Sequence, residues 1–281
     1  MDLSAELSEF LRSRRARLKP QDVGLPEFGR HRRVPGLRRE ELAQLAGVSV
    51  AYYTRLEQGN GRNVSMEVLD SIARALRLSE AERDHLTRLA KPSPARRRPS
   101  RPQRLRPGVQ QLMDAMTGIP AYVVGRRTDV LGSNRMATAL FGDIAALPPE
   151  RRNIARLLFL GDGYRDLFVD WEQKACEVVS FLRLDAGRHP DDPLLSALVG
   201  ELSMKSEAFR SLWAAHLVKD KGHGSKRLHH PLVGELTLWC ETLVVAGDEE
   251  QCLATFHAEP GSPSEEALGL LASWGADHAL R

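Results

Sequence analysis

Residues 39–59 read Arg39-Glu40-Glu41-Leu42-Ala43-Gln44-Leu45-Ala46-Gly47-Val48-Ser49-Val50-Ala51-Tyr52-Tyr53-Thr54-Arg55-Leu56-Glu57-Gln58-Gly59. Two short helices joined by a tight turn meet each local demand of this stretch. Ala43 is small where two helices must approach closely. Gly47 accepts φ > 0 and so ends the first helix. Ser49 offers its hydroxyl as the cap of the second. Leu42, Leu45, Val48, Tyr53 and Leu56 supply one shared apolar seam, and Gly59 terminates the unit. The segment has the local physics of a helix-turn-helix.

The flanks are helical too. Leu3, Leu7, Phe10, Leu11 and Leu18 recur at helical spacing until Pro20 stops the run. Residues 19–36 carry three Pro and three Gly and read as irregular loop. Further helices are predicted over 66–76 and 79–89, the latter opened by a capping box of Ser79 and Glu82. Lys91 to Pro107 then reads KPSPARRRPSRPQRLRP, with five Pro and seven basic residues in seventeen positions. Pro at that density forbids helix and ladder, and like charges extend the chain. The expected layout is therefore a helical domain over 1–91, a basic linker over 92–107 and a second domain over 108–281.

In the second domain short runs at 121–126 and 130–133 flank a turn at Arg127-Thr128-Asp129. Asn134 caps a helix through Phe141, helices fill 151–215, and strands return at 236–245 and 253–257. A last helix is expected over 264–274. Strands, a helical middle and more strands predict an α+β domain with an antiparallel sheet.

The net charge of +3 conceals an asymmetry. Residues 1–107 hold 23 Lys+Arg against 13 Asp+Glu, a balance of +10, and the remainder balances at −7. The basic half suits a polyanion, since neutralising phosphate releases condensed counterions. An acidic N-terminus without an apolar core and the lack of a long apolar run predict a cytoplasmic, nucleoid-associated protein that does not enter a membrane. Three Cys without a CxxC pair argue against a disulfide framework, and the His and Cys spacings match no common metal signature. The sequence lacks a phosphate loop and a nucleophile elbow, and an enzyme is not expected.

The first half resembles the five-helix DNA-binding domain of the Xre/lambda-repressor-like family, whose LAxxxGVSxxxxxxLExG pattern runs from Leu42 to Gly59. The resemblance implies that the second motif helix enters the major groove of double-stranded DNA. By position its groove side holds Val50, Ala51, Tyr52, Thr54 and Arg55. Arg55 suits a bidentate bond to guanine or a phosphate clamp, and Val50 and Ala51 suit a thymine methyl. Phosphate contacts fall to Arg39, Ser49, Asn60, Arg62 and Asn63, and Arg15 with Glu57 matches a family salt bridge. Asn63 equally suits a cap or turn.

The segments VPGLRREELAQLAGVS, LVGELSMKSEAFRSLWAAH, GSKRLHHPLVGELTLWCETL and AEPGSPSEEALGLLASW extend the likeness along nearly the whole chain: the sequence is similar to MmyB-like transcription regulators. That resemblance implies a PAS-like C-terminal domain that binds a small, fatty-acid-like ligand, with no further cofactor. Candidate ligand residues are Trp171, Phe181, Trp213, His216, Arg227, His229 and Trp239. Arg227, His229 and His230 suit a carboxylate head group, although 226–231 equally reads as a surface turn. The expected protein is a homodimeric regulator, because one short recognition helix reads few base pairs. The alternative is a DNA-anchored scaffold whose second domain recruits a protein without sensing a ligand.

Overall fold

The computed structural model describes residues 2–25, 36–61, 64–91, 103–161, 163–216 and 223–278. The chain forms two compact units. The first comprises Met1–Arg98, Arg183–Ser196 and Ala214–Lys219; the second comprises Pro99–Leu182, Ala197–Trp213 and Asp220–Arg281. Most of the expected linker, 92–102, lies outside the described residues.

The first unit is built from α1 (Leu3–Arg17), α2 (Arg39–Ala46), α3 (Val50–Glu57), α4 (Met66–Ala75) and α5 (Glu80–Ala90). Asp2, Ser49, Ser65 and Ser79 each accept a backbone N–H at a helix start, satisfying donors that have no intrahelical partner. Gly47 closes α2 at φ 68°, the left-handed conformation that lets the chain turn into α3. Phe10, Leu42, Ala43, Tyr53, Leu56 and Ile72 form the centre of the core. Leu45 departs from the expected seam and is 37% exposed. Leu42, Ala43 and Ala46 define the buried arc of α2, and Leu45 lies about a sixth of a turn beyond it.

The downstream segments of this unit are held by charge as well as packing. Leu184 joins the same core. Arg183 is fully buried and donates from Nη1 to Glu6 Oε2 at 2.5 Å and to His216 Nδ1 at 2.8 Å. His216 Nε2 lies 2.8 Å from Glu9, so the ring donates there and accepts from Arg183. Arg14 donates to the His216 carbonyl at 2.7 Å and faces Glu82 at 3.1 Å. His85 stands beside this cluster, edge-on to Phe10 at 5.2 Å. Burial, reinforced by the charges of Arg183, Arg88 and Arg14 against the opposing Glu6, brings its pKa down to about 3, so the ring is neutral.

The second unit holds a five-stranded antiparallel sheet of order β2-β1-β5-β4-β3. Its strands are β1 (Ala121–Val124), β2 (Val130–Ser133), β3 (Gly224–His230), β4 (Gly234–Val245) and β5 (Asp248–His257). The helices are α6 (Pro107–Asp114), α7 (Arg135–Phe141), α8 (Ile154–Leu160), α9 (Trp171–Arg188), α10 (Pro193–Lys205), α11 (Glu207–Ala214) and α12 (Pro263–His278). Residues 171–182 of α9 belong to this unit and 183–188 to the first. Met113 of α6 packs with Ala121, Val123 and Leu253 on one face of the sheet. Buried Asn134 caps α7, accepts the Ala121 N–H at 3.0 Å and donates to the carbonyls of Met113, Met116 and Ile119. Strand β3 corrects the reading of 226–231 as a surface turn. Lys226, Leu228 and His230 alternate inward along it, but two of the three are polar, which hid the alternation.

Candidate nucleic-acid interface and ligand cavities

Eight residues of α3 divide sharply between two faces. Tyr53, Leu56 and Glu57 are buried, whereas Val50 is 41% exposed, Ala51 and Arg55 are exposed, and Tyr52 and Thr54 are half-buried. Ser49 accepts the Tyr52 N–H at 3.2 Å, so its hydroxyl is engaged as the cap while the residue itself stays exposed. The Arg55 guanidinium lies 6.0 Å from the Tyr52 ring centroid. It has no ion pair among the described residues and is available to an outside acceptor.

The buried face of α3 is locked through Glu57, whose side chain is completely buried. Arg15 Nε donates to Oε1 at 2.7 Å, and Tyr53 donates its hydroxyl to the same oxygen at 3.2 Å. Arg39 Nε donates to Oε2. Burial pushes the Glu57 carboxyl up, but the hydrogen bonds and charges of Arg15 and Arg39 outweigh it and hold the group below its ordinary range. The structure thus brings Arg15 and Glu57 together and adds Arg39, which the sequence reading assigned to phosphate alone. Arg39 is still 41% exposed, leaving its outer N–H groups toward solvent. Asn60 is exposed after α3, while Arg62 and Asn63 lie outside the described residues.

Among the described residues of the second unit, two cavities bear on ligand binding. The larger, about 1090 Å³, is lined mainly by apolar side chains of α7 and the segments following it, including Leu140, Phe141, Ile144, Leu147 and Leu167. His229, His230 and Arg135 also reach its wall. His230 is committed: its Nε2 meets the Ala139 carbonyl at 3.1 Å and its Nδ1 accepts the Leu232 N–H at 3.3 Å. His229 and Arg135 are exposed. The smaller cavity, about 100 Å³, lies against the sheet and α9.

The expected ligand residues scatter over these features. Phe181 lines the smaller cavity and His229 the larger. Trp171 lies under Arg165 at 4.0 Å and edge-on to Phe159, and Trp213 stacks on Phe209 at 5.7 Å; neither cavity wall includes them. Trp239 is 44% exposed on the outer face of β4. Arg227 is held by Asp170 through two bonds of 2.9 and 2.6 Å, which occupy the fork that a carboxylate ligand would need. His216 is engaged by Arg183 and Glu9 in the first unit. There Glu6, Glu9 and His216 bring three donor atoms within 4.8 Å, but the Arg183 guanidinium supplies the positive charge among them. The sequence reading missed Lys174, Glu177 and Lys226, which meet in the smaller cavity. Their only sequence signal is that lysine is scarce in this chain.

Among the described residues no helix is long and apolar enough to cross a membrane. The family of helix-turn-helix domains matches residues 6–86, and the MmyB-like transcription regulator ligand binding domain matches residues 105–271. Both are regulator domains and not enzymes. No curated protein matches the chain as a relative. The longer match covers more than half of the sequence, and with a helix-turn-helix ahead of it the chain belongs to the MmyB-like transcription regulators, DNA-binding proteins that carry a ligand-binding domain.

Proposed function

We propose that this regulator binds DNA sequence-specifically as a homodimer on the nucleoid, with α3 in the major groove. The observation that carries the reading is the split of α3: an exposed face of Val50, Ala51 and Arg55 over a back face fixed by Glu57. Arg55 reads a guanine, and Val50 and Ala51 offer methyl contact to thymine, with Tyr52 and Thr54 at the margin. Ser49, Arg39 and Asn60, followed by Arg62 and Asn63, hold the phosphates that set register without specifying sequence. A small apolar, fatty-acid-like ligand occupies the larger cavity of the second unit, with His229 and Arg135 nearest its polar end. Such a ligand changes operator affinity only by its differential affinity for two states of the protein.

The test is Arg55→Ala measured on the operator and on scrambled duplex. The expected loss is about 1–3 kcal/mol on the operator alone. Equal loss on both sequences would assign Arg55 to phosphate. A second reading, recruitment of a protein partner in place of a ligand, is favoured by the exposed Trp239, Leu243 and Val244 on β4. Mass spectrometry of small molecules extracted from the purified protein separates the two, since a stoichiometric acyl compound supports sensing.

A further inference from the structure

The chain contains 33 Arg and only seven Lys, yet two of the seven line the one small cavity against the sheet. The distinction is chemical. Arginine keeps its proton in proteins, whereas a lysine taken out of water gives it up readily. Lys174 and Glu177 are three residues apart on α9 and share a face. Lys226 turns inward from β3 and donates to Glu177 Oε1 at 2.5 Å, so that carboxylate is already engaged. Lys174 has no ion pair or side-chain hydrogen bond among the described residues. Its Nζ lies over the Phe168 ring, 5.4 Å from the centroid.

Lys174 is half-buried, and the carboxylate nearest it along α9 is already engaged by Lys226. Burial, with the nearby Lys226 charge and against the pull of Glu177, holds Lys174 below the ordinary lysine range. Cys240, which also lines the cavity, is pushed up by burial, so its thiol stays protonated and is the weaker nucleophile.

We propose that this cavity captures a small aldehyde covalently, with Lys174 as the amine that forms an imine. Neutral Nζ adds to the carbonyl carbon, forming the C–N bond while the carbonyl π electrons move to oxygen. A proton passes from nitrogen to that oxygen, with the Glu177–Lys226 pair alongside to relay it. The carbinolamine then loses water as the C–O bond breaks and the remaining N–H proton departs. Amine and aldehyde become imine and water with no change of oxidation state, and hydrolysis reverses the step. The volume sets the size class. A dry cavity of roughly 150 Å³ holds benzene, so about 100 Å³ admits an aldehyde of about four or five heavy atoms. This proposal is independent of the ligand reading for the larger cavity and of DNA binding.

The test treats the full chain with butyraldehyde and sodium cyanoborohydride, then maps the reduced adduct by peptide mass spectrometry. One butyl group is expected at Lys174, forming at least tenfold faster than at Lys205, which is 61% exposed. Lys174→Arg replaces the amine with a guanidinium that forms no imine under these conditions, and it should lose the fast adduct while the chain still folds. Even labelling over the surface lysines overturns the proposal, as does full-rate labelling of the Lys174→Arg chain. A melting-temperature rise with butyrate but no adduct at Lys174 also overturns it, in favour of a simple anion site.

Discussion

Two carboxylates, Glu57 fully buried in the first unit and Glu177 half-buried in the second, are matched differently. Glu57 receives Arg15, Arg39 and the Tyr53 hydroxyl, and every strong partner around it is used. Glu177 receives Lys226, and a second lysine, Lys174, lines the same cavity with no ion pair among the described residues. The first arrangement is closed and serves to hold a helix. The second is open and leaves chemistry to be done. Burial of charge therefore does not by itself mark a functional site; an unmatched group next to empty volume does.

The largest effect is expected on the closed side. Glu57→Ala strands a mostly buried Arg15 and the Tyr53 hydroxyl, and should cost about 3–5 kcal/mol of unfolding free energy by denaturant titration. A loss below about 1 kcal/mol would show that the clamp is not what fixes α3. His85 supplies an intermediate case, a buried group whose ring nitrogens find no hydrogen-bond partner among the described residues and which resolves its burial by staying neutral. Its folded pKa of about 3 lies below the unfolded value near 6.5, so the unfolded chain takes up the proton first. Stability from this residue is complete above pH 6.5 and declines as pH falls toward 3. Between pH 7 and pH 5 the wild-type chain should lose about 2 kcal/mol more than His85→Leu. Parallel curves for the two proteins would mean the ring is not held neutral. The smallest effect belongs to Arg227→Ala, whose partner Asp170 is exposed. No measurable change in melting temperature is expected, because solvent screens such pairs.

The first unit was the more legible because its determinants are local. Gly47, Ser49 and the Ser79–Glu82 box each act within four residues, and a short window contains the whole argument. Arg39 reaching Glu57 was not legible, since eighteen residues separate them and only the crossing of α2 and α3 closes the gap. In the second unit the hairpin strands β1 and β2 could be read, but β3 could not. Its inward residues Lys226 and His230 are polar because one meets Glu177 and the other the Ala139 carbonyl, which apolar alternation does not encode. Aromatic residues were a poor guide to the cavities. Trp171 packs on Phe159 and Trp213 on Phe209, with the two Phe rings in contact, and Trp239 faces outward.

The noncontiguous make-up of the first unit has a practical corollary for anyone cutting the gene. A fragment ending at Lys91 would retain the motif yet omit Leu184 from its centre and the guanidinium that neutralises Glu6. Such a piece should melt earlier than the same helices within the intact polypeptide.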